Sequence, residues 1–399
     1  MSGGATATGL RWGLERELLL QYALGFLAFF LMGLVQAGYG PSYGRFTHEY
    51  GVSLATVGVI SSLHFLGTAL GTLLMGPLLT RLSLRSSLAV AGGTLLTGLL
   101  GLAFAPAWLP MLGAALIEGV GFGMLSAGFN IAFARMGAGP SSLVNGMYGV
   151  GSVVSPLLVT LLASTSYRPP FVLMCVLAAL LAVGVRWWWP RAPEAPQPAA
   201  RVGRRAQGQT PGGWRAGGWL PLLLFGCCFF VYVGIEAGLG NWSTLYLTRL
   251  DYPHPALITS LYWAALTAGR FLFALVGGRF AFASVVAFGA AGTLLSALTL
   301  LLGGPAPAAL MLAGLCIAPV FSALLAWFTA VLPAQLAPYM LAAGSLGGSL
   351  LPAAIGAALP HFGAPSLPAA LLMFALGLLG LSALLGRRMR TQGGSVAPD

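Results

Sequence analysis

Four ionisable side chains lie within stretches of this sequence that are otherwise apolar: His64, Glu118, Glu236 and Arg270. In a membrane such residues cost about 2.5–3.5 kcal/mol each on insertion scales, so they are usually kept for a function. Burial favours the protonated form of a carboxyl group, and a neighbouring arginine favours its charged form. A carboxylate whose solvation and partner change can therefore load a proton on one side of a membrane and release it on the other. We predict this role for Glu236 first and for Glu118 second.

Structural roles stay open for the same four residues. Glu236 and Arg270 fall on consecutive predicted helices, so they can also form a permanent ion pair that locks this part of the chain. A neutral glutamic acid that is hydrogen-bonded to the backbone is a further alternative. His64 can be a packing residue or a gate, and Arg270 can contact substrate. At 1.5 Å of rise per residue, Glu118, His64 and Glu236 lie about 13–16 Å inside the membrane, close to its midplane.

The composition excludes a water-soluble protein. Of the 399 residues, 58% are hydrophobic and only 7% are charged, whereas soluble domains carry about 25% charged residues. All 19 basic residues are arginine, and they lie at the ends of apolar segments, which does not favour nucleic acid as a partner. The four cysteines lie in apolar segments without metal-ligand spacing. No catalytic triad spacing or nucleotide-binding motif occurs, so we predict no enzyme, no metal and no cofactor.

Apolar segments long enough to cross a membrane recur along the whole chain, which predicts an all-α polytopic membrane protein with twelve transmembrane helices. The predicted spans are 18–41, 54–79, 86–105, 109–134, 142–163, 169–189, 219–247, 256–279, 282–302, 306–331, 335–359 and 366–386. With the N-terminus inside, fifteen arginines fall on the cytoplasmic side, three fall outside, and the nineteenth, Arg270, lies within a helix. This bias predicts that both termini are cytoplasmic. No cleavable signal peptide is evident, and the Ala-, Leu- and Gly-rich composition favours a bacterial cytoplasmic (inner) membrane.

A long polar stretch rich in Pro, Gly and Arg interrupts the helices in the middle of the chain. The predicted domains are a six-helix half at 1–189, a flexible cytoplasmic linker at 190–217 and a second six-helix half at 218–399. Short segments repeat in order between the halves: 29–40 matches 229–240, 71–81 matches 269–279, and 151–156 matches 347–352. Because both copies start inside, these matches predict a parallel repeat about a pseudo-two-fold axis along the membrane normal.

Further polar and aromatic residues are candidates for a substrate cavity, since amides bind hydroxyl groups and aromatic faces stack on sugar rings or apolar bodies. They are Gln36, Tyr39, Asn130, Asn145, Tyr148, Tyr232, Asn241, Trp242, Tyr262, Trp263 and Trp327. Most such aromatic residues in membrane proteins are interface anchors or packing residues, and that role stays open for each. On helices 5 and 11, Gly151, Pro156, Gly347 and Pro352 predict close packing and bends.

Two six-helix halves with a central cytoplasmic linker resemble the major facilitator superfamily. The loop at 76–85, GPLLTRLSLR, is similar to that superfamily's Gly-x-x-x-Asp-Arg-x-x-Arg signature in Gly76, Arg81 and Arg85. Thr80 replaces the acidic residue, so the charge relay that the resemblance implies for this loop is not carried over. The corresponding loop of the second half keeps Arg279. The resemblance implies that these glycine and arginine residues take part in conformational change.

Four short segments are similar to the fucose–proton symporter-like branch of that superfamily: GFGMLSAGFN (121–130), YGVGSVVSP (148–156), YVGIEAGLGNW (232–242) and YWAALTAGR (262–270). Relatives in this branch often place acidic residues where Ser126 stands and near Gly40. Both positions are neutral in this sequence, so the coupling role implied there is not carried over to them. The branch resemblance implies that the solute is a sugar or a similar polar metabolite.

These observations predict a secondary active transporter that moves a small polar solute by alternating access, coupled to H⁺ in preference to Na⁺. A proton-coupled drug or metabolite efflux antiporter is the main alternative, favoured by the aromatic lining. A non-transporting membrane receptor is a more distant one. The predicted partners are a small-molecule substrate, the coupling ion and the lipid bilayer, with no nucleic acid and a monomeric state.

Overall fold

The computed structural model describes residues 4–190, 219–276 and 279–391 of the chain. In this part of the chain twelve helices are long and apolar enough to span a membrane. We number them α1 (Arg16–Tyr50), α2 (Leu54–Arg81), α3 (Leu84–Phe104), α4 (Trp108–Ala134), α5 (Gly139–Leu162), α6 (Arg168–Trp188), α7 (Leu220–Arg249), α8 (Pro255–Leu275), α9 (Phe282–Leu301), α10 (Ala306–Val331), α11 (Ala334–Phe362) and α12 (Ser366–Met389). The prediction of an all-α protein with twelve spans is confirmed.

Two helices differ from their predicted form, and proline is involved in both. The first span was predicted to end at residue 41, but α1 continues through Pro41 to Tyr50. Tyr43 and Phe46 on this extension are fully buried, so tertiary packing stabilises the helix beyond the proline. In contrast, α10 consists of two helices, Ala306–Ile317 and Val320–Val331, separated at Pro319. Proline cannot donate to the preceding turn, and its ring crowds that turn, which explains the interruption.

Large apolar side chains cover the outside of the bundle. The most exposed include Leu109, Leu275 and Leu302, at 77%, 82% and 86%. A soluble protein of this size would hide such side chains from water, whereas a lipid environment accepts them without cost. The protein is a multi-pass membrane protein.

Helices α1–α6 and α7–α12 pack in the same pattern. In the first set α1 contacts α5, α2 contacts α4, and α3 contacts both α4 and α6. In the second set α7 contacts α11, α8 contacts α10, and α9 contacts both α10 and α12. Each of these contacts in the first set therefore has a counterpart six helices later, as a repeat requires. The predicted linker at 190–217 lies outside the described residues except for Pro190, and the predicted domain boundaries stay a prediction.

Consecutive helices run in opposite directions, so the bundle has two faces. We call the end that carries Arg16 and Met389 the terminal face, and the end that carries Tyr50 the far face. The first six helices contact the last six through α1 with α7, α2 with α11, and α5 with α8. Between α5 and α8 a Cβ at Gly149 would lie 2.5 Å from the Thr267 side chain, so this pair is tightly packed.

The contact of α1 with α7 and of α2 with α11 lies towards the far face. A Cβ at Gly40 would lie 2.5 Å from the carbonyl oxygen of Asn241, so the two helix backbones touch and only glycine fits. Between α2 and α11, the Ser62 hydroxyl donates to the carbonyl of Ser349 at 2.6 Å, and the Ser349 hydroxyl donates to the carbonyl of Ser62 at 2.8 Å. The two sets of helices are thus in direct backbone contact on this side.

Trp242 of α7 fills the remaining space near the far face. Its ring packs edge-on against Tyr43 of α1, with 5.0 Å between the ring centroids, and it is 1% exposed. Its Nε1 donates to the carbonyl of Pro352 at 2.9 Å. A Cβ at Gly58 would lie 2.8 Å from the indole, so α2 also packs directly on it. The space between the two sets of helices is closed towards the far face.

Candidate functional site

Glu236 lies at the centre of a polar cluster on α7 and α8. Nη2 of Arg270 donates to both of its carboxylate oxygens, at 2.9 Å each. The Tyr232 hydroxyl donates to Oε2 of the same carboxylate, and the Tyr262 hydroxyl donates to the Glu236 backbone carbonyl at 3.3 Å. Tyr232 and Glu236 are four residues apart, which places them on one face of α7. Tyr262 and Arg270 are eight residues apart on α8, again on one face.

The two charged partners differ in exposure. The Glu236 side chain is 8% exposed, whereas the Arg270 side chain is 31% exposed. On α8 the residues that face outward include Ala268 and Leu272. Each is two residues from Arg270, which corresponds to about 200° around the helix. Arg270 therefore points away from these two residues, and Tyr148 of α5 lies within electrostatic range of it, so we infer that its exposed part lies between the two sets of helices.

A second polar cluster lies among α1, α2 and α4. Nδ1 of His64 is 2.6 Å from Oε2 of Glu118, and the Tyr39 hydroxyl donates to the same oxygen at 2.9 Å. The side chains of His64 and Glu118 are both 0% exposed. Within the described residues, Oε1 of Glu118 and Nε2 of His64 have no hydrogen-bond partner. This cluster is a sealed ion pair or neutral pair with one free atom on each partner.

Glycines bring the backbones close enough to build this cluster. A Cβ at Gly119 would lie 2.1 Å from the His64 carbonyl oxygen, and one at Gly98 would lie 2.2 Å from the Glu118 backbone nitrogen. Helices α2 and α3 therefore press on α4 on both sides of the carboxylate. The rings of Phe65 and Phe122 pack edge-on around His64, with centroids 5.2 and 5.0 Å away. Apolar walls thus surround the pair and keep water out.

The two clusters use equivalent helices for the basic residue and for the tyrosine, but not for the glutamate. Each joins a glutamate to a basic side chain and a tyrosine hydroxyl. The basic residues lie on α2 and α8, and Tyr39 and Tyr232 lie on α1 and α7, which are counterparts in the repeated packing pattern. The glutamates differ, because Glu118 lies on α4 and Glu236 lies on α7. The two clusters are therefore related in their composition. Among their side chains, Arg270 is the one that is open to the interior.

Four of the predicted cavity residues keep some exposure. Asn145 is exposed, and Gln36, Asn130 and Tyr148 are partly exposed. Nδ2 of Asn145 donates to Oδ1 of Asn130 at 3.1 Å, which links α5 to α4. Tyr148 on α5 lies within electrostatic range of both Glu236 and Arg270. Tyr148 thus offers a hydroxyl group close to the α7–α8 cluster.

The other predicted cavity residues are packed between helices. Those that are 7% exposed or less are Tyr39, Tyr232, Asn241, Trp242, Tyr262, Trp263 and Trp327. Trp327 packs edge-on against Phe225, and Tyr262 packs edge-on against Trp263. In this conformation they stabilise helix contacts, and substrate contact by any of them stays a prediction.

The chain is similar to a known protein family and to solved structures. The model of the Major Facilitator Superfamily matches residues 25–357, which is most of the chain. The chain belongs to the Major Facilitator Superfamily. The comparison with curated proteins gives no match. As a member of this superfamily it is a transporter and not an enzyme.

Solved structures of three superfamily transporters are similar over nearly their whole length. A D-xylose-proton symporter has a TM-score of 0.70 at 13% identity, covering 90% of this chain and 97% of that chain. The nucleoside transporter NupG has a TM-score of 0.68 at 16% identity, covering 93% and 98%. A peptide transporter in complex with sulfate has a TM-score of 0.70 at 15% identity, covering 94% and 95%. At these identities the likeness shows the fold alone.

The superfamily's signature loop lies at the terminal face. Gly76 and Arg81 are exposed there, as is Arg279 in the second set of helices. Arg85 donates through Nε to the carbonyl of Arg186 at the end of α6, at 3.1 Å. At the position of the acidic residue, the Thr80 hydroxyl donates to the carbonyl of Pro77, so it serves its own helix.

The glycine and proline pairs of α5 and α11 lie at tight helix contacts. A Cβ at Gly151 would lie 2.1 Å from the carbonyl oxygen of Phe30 on α1. A Cβ at Gly347 would lie 1.8 Å from the carbonyl oxygen of Phe230 on α7. Pro156 and Pro352 lie within α5 and α11, and the Pro352 carbonyl accepts the bond from Trp242. Their part in bending during transport stays a prediction.

Three features of the site escaped the sequence analysis. Tyr39 and Tyr232 were treated as cavity residues, but each donates to a buried glutamate. For Tyr232 the four-residue spacing to Glu236 was a readable signal. The pairing of His64 with Glu118 had no local signal, because the two residues are 54 positions apart. The exchange of bonds between Ser62 and Ser349 likewise depends only on tertiary packing.

Proposed function

We propose that this protein is a secondary active transporter that carries a small polar solute, a sugar or similar metabolite, by alternating access coupled to protons. One observation carries the coupling part: the buried carboxylate of Glu236 is held by Arg270, whose side chain is open to the interior. Paired with the guanidinium, the carboxylate is stable as an anion; without it, burial favours the protonated acid. Any event that moves Arg270 away from Glu236 therefore causes Glu236 to take up a proton.

Glu236 is a better coupling residue than Glu118 in this conformation. Both partners of the His64–Glu118 pair are fully buried, so a proton reaches that pair only after α1, α2 and α4 separate. In contrast, Arg270 is exposed on one side, and a solute in the interior can contact it directly. Glu118 remains the second candidate, and its role is tested separately below.

Alternating access follows from the contacts between the two sets of helices. The far face is closed by glycine-mediated backbone contact at Gly40, by the Ser62–Ser349 pair and by Trp242. Rocking one set of helices against the other would break these contacts and open the far face. Asn145 is exposed and Asn130 and Tyr148 are partly exposed, so these polar side chains are proposed to contact the solute.

The terminal face is proposed to be cytoplasmic. This assignment rests on the fifteen-to-three distribution of arginines derived above. We propose that the protein lies in a bacterial cytoplasmic membrane and acts as a monomer that binds its substrate, a proton and the surrounding lipid. The proposal of a fucose–proton symporter-like substrate class draws on the short sequence segments alone.

Reconstitution into proteoliposomes tests the proposed function. Uptake of radiolabelled sugars, sugar acids and nucleosides is measured with and without an imposed pH gradient, for the wild type and for Glu236→Gln. We expect accumulation of at least one solute with the gradient, and loss of accumulation but not of solute exchange in Glu236→Gln. Glu49→Gln is the matched control, because it breaks an exposed ion pair with Arg168 at the far face.

Two outcomes contradict the proposal. If Glu236→Gln accumulates solute as well as the wild type under the same gradient, Glu236 is not the coupling residue. If no solute accumulates but dyes are expelled from the vesicles by the gradient, the protein is an antiporter of apolar compounds. The Glu49→Gln variant must behave as wild type in both assays.

A further inference from the structure

The free donors of Arg270 define what the site can bind. Within the described residues, all hydrogen bonds of its guanidinium come from Nη2, two to Glu236 and one to the Tyr232 hydroxyl at 3.3 Å. Nε and Nη1 are left for a ligand, and the side chain is 31% exposed towards the interior. Free guanidinium donors recognise anions, and carboxylates above all, because the planar fork matches two carboxylate oxygens.

The geometry of the guanidinium makes this recognition competitive. Its two bidentate edges are Nη1 with Nη2, and Nε with Nη2, so Nη2 belongs to both. Glu236 occupies Nη2 with both oxygens. Nη2 carries one N–H for each edge, and these two N–H groups already bond three acceptors, so a second carboxylate that binds with two parallel bonds competes with Glu236 for Nη2. A neutral hydroxyl, which needs one donor, can bind Nη1 or Nε and leave the Glu236 pair intact.

We propose that the solute is a small hydroxylated carboxylate, such as a sugar acid, which displaces Glu236 from Arg270 and thereby causes Glu236 to bind a proton. This inference rests on the proposed function and deepens it by naming the substrate class. The balance is simple: the anion and one proton enter, the anion pairs with the guanidinium, and the freed carboxylate becomes a neutral acid. Anion and proton then cross together, so the transport step carries no net charge.

The surroundings of Glu236 agree with this exchange. Four ionisable side chains face it: Tyr232 on its own helix, Arg270 and Tyr262 on α8, and Tyr148 on α5. Further ionisable side chains lie on the other helices that pack on α7. Tyr39 of α1 is bonded to Glu118, and α10 carries the Cys316 thiol. Tyr339 and His361 lie near the ends of α11, and Arg387 and Arg388 lie at the end of α12. Arg270 is thus the cation that holds the carboxylate charged. Its tyrosine neighbours supply hydroxyls that can bond either the displaced acid or the hydroxyl groups of the solute.

Matched pairs of ligands test the inference on the purified full-length protein. The probes are D-glucuronate with D-glucuronamide, D-gluconate with D-gluconamide, and L-lactate with L-lactamide; within each pair a charged carboxylate is replaced by a neutral carboxamide. Binding is measured by thermal stabilisation, and proton uptake by a pH indicator in weak buffer. We expect at least one carboxylate to bind at least tenfold more tightly than its amide, with uptake of about one proton per anion bound.

Variants separate displacement from simple attraction. In Glu236→Gln the guanidinium no longer has to be freed from a carboxylate, so the anion should bind at least as tightly as in the wild type while proton uptake is lost. The double variant Arg270→Gln/Glu236→Gln leaves no unpaired buried charge, so it is the variant best suited to test loss of preference for carboxylates. Arg168→Gln, at the exposed far-face pair, should bind like the wild type.

The outcomes distinguish this inference from the proposed function. If every carboxylate binds no better than its amide, or binds without proton uptake in the wild type, the inference is overturned. If, in addition, a neutral solute still accumulates on a pH gradient, the proposed function stands without the carboxylate substrate class. If no solute of any kind accumulates on a gradient, the proposed function itself has failed.

Discussion

A single nitrogen of Arg270, Nη2, donates to both carboxylate oxygens of Glu236, at 2.9 Å each. The glutamate is buried on α7, and the arginine reaches it from α8 with its remaining donors open to the interior. One pair of residues thus joins a proton-binding group to a surface that a solute can contact. The predictions below test this pair, its counterpart on α4 and the contacts that close the far face.

Removing Arg270 alone should destabilise the protein more than removing both partners. Arg270→Gln leaves the Glu236 charge buried without a cation, which costs roughly 3 kcal/mol, the low end for a broken buried pair, because Arg270 is partly exposed. The double variant Arg270→Gln/Glu236→Gln should recover most of this loss. Thermal unfolding of the purified variants measures it. A double variant whose loss equals the sum of the losses in Arg270→Gln and Glu236→Gln would show that the pair is not coupled energetically.

Replacing Glu118 by glutamine should leave proton-driven uptake in place. Glutamine keeps an oxygen that can accept the Tyr39 hydroxyl bond, and the sealed pair lies out of reach of solute in this conformation. We therefore expect Glu118→Gln to accumulate solute on a pH gradient, in contrast to Glu236→Gln. Loss of accumulation in Glu118→Gln with retained exchange would assign coupling to the α4 cluster instead.

Replacing His64 should destabilise the protein more than replacing Glu118. His64→Ala removes the partner 2.6 Å from Glu118 and leaves a buried carboxyl group and a cavity, with a cost of roughly 3 kcal/mol. Glu118→Gln removes a charge but keeps the volume, so a cost of about 1 kcal/mol is expected. Thermal unfolding compares the two variants directly. A larger loss for Glu118→Gln would indicate that the carboxylate has stabilising partners other than His64.

A methyl group at Gly40 should open the far face. Its Cβ would lie 2.5 Å from the carbonyl oxygen of Asn241, so α1 and α7 must separate. Gly44, one turn further along the same helix, has nothing within 4 Å of its Cβ position, so Gly44→Ala is the matched control. The readout is thiol labelling of Ser243→Cys, a fully buried position, in a background without the native cysteines. Labelling should rise in Gly40→Ala and not in Gly44→Ala.

The reciprocal serine bonds should stabilise the closed far face together. Each of the two bonds, at 2.6 and 2.8 Å, is expected to contribute about 1 kcal/mol. Ser62→Ala and Ser349→Ala each remove one hydroxyl donor, and the double variant removes both. The same labelling assay should show a graded increase from wild type to single to double variants. If labelling does not change in the double variant, the contacts of Gly40 and Trp242 close this side without the serine bonds.

The fold could be read from the sequence to within a few residues for most helices. Twenty-residue apolar segments have one stable form in a bilayer, because a helix satisfies its backbone hydrogen bonds internally. Their number and positions are therefore a local property. The end of α1 and the break in α10 are not local properties, since both depend on proline in a particular packing environment. Tyr43 and Phe46 stabilise the helix beyond Pro41, whereas α10 is interrupted at Pro319.

The residues that are costly enough to need a role could be identified from the sequence, because a charge in an apolar segment is visible without any structure. The sequence also identified the pairing of Glu236 with Arg270 as one possibility, on the ground that they lie on consecutive helices. Only the tertiary structure decided that His64 and Tyr39 meet Glu118, that one cluster is sealed and that Arg270 opens to the interior. Those relationships depend on helix rotation and on glycine contacts between distant segments, which no local pattern in the chain encodes.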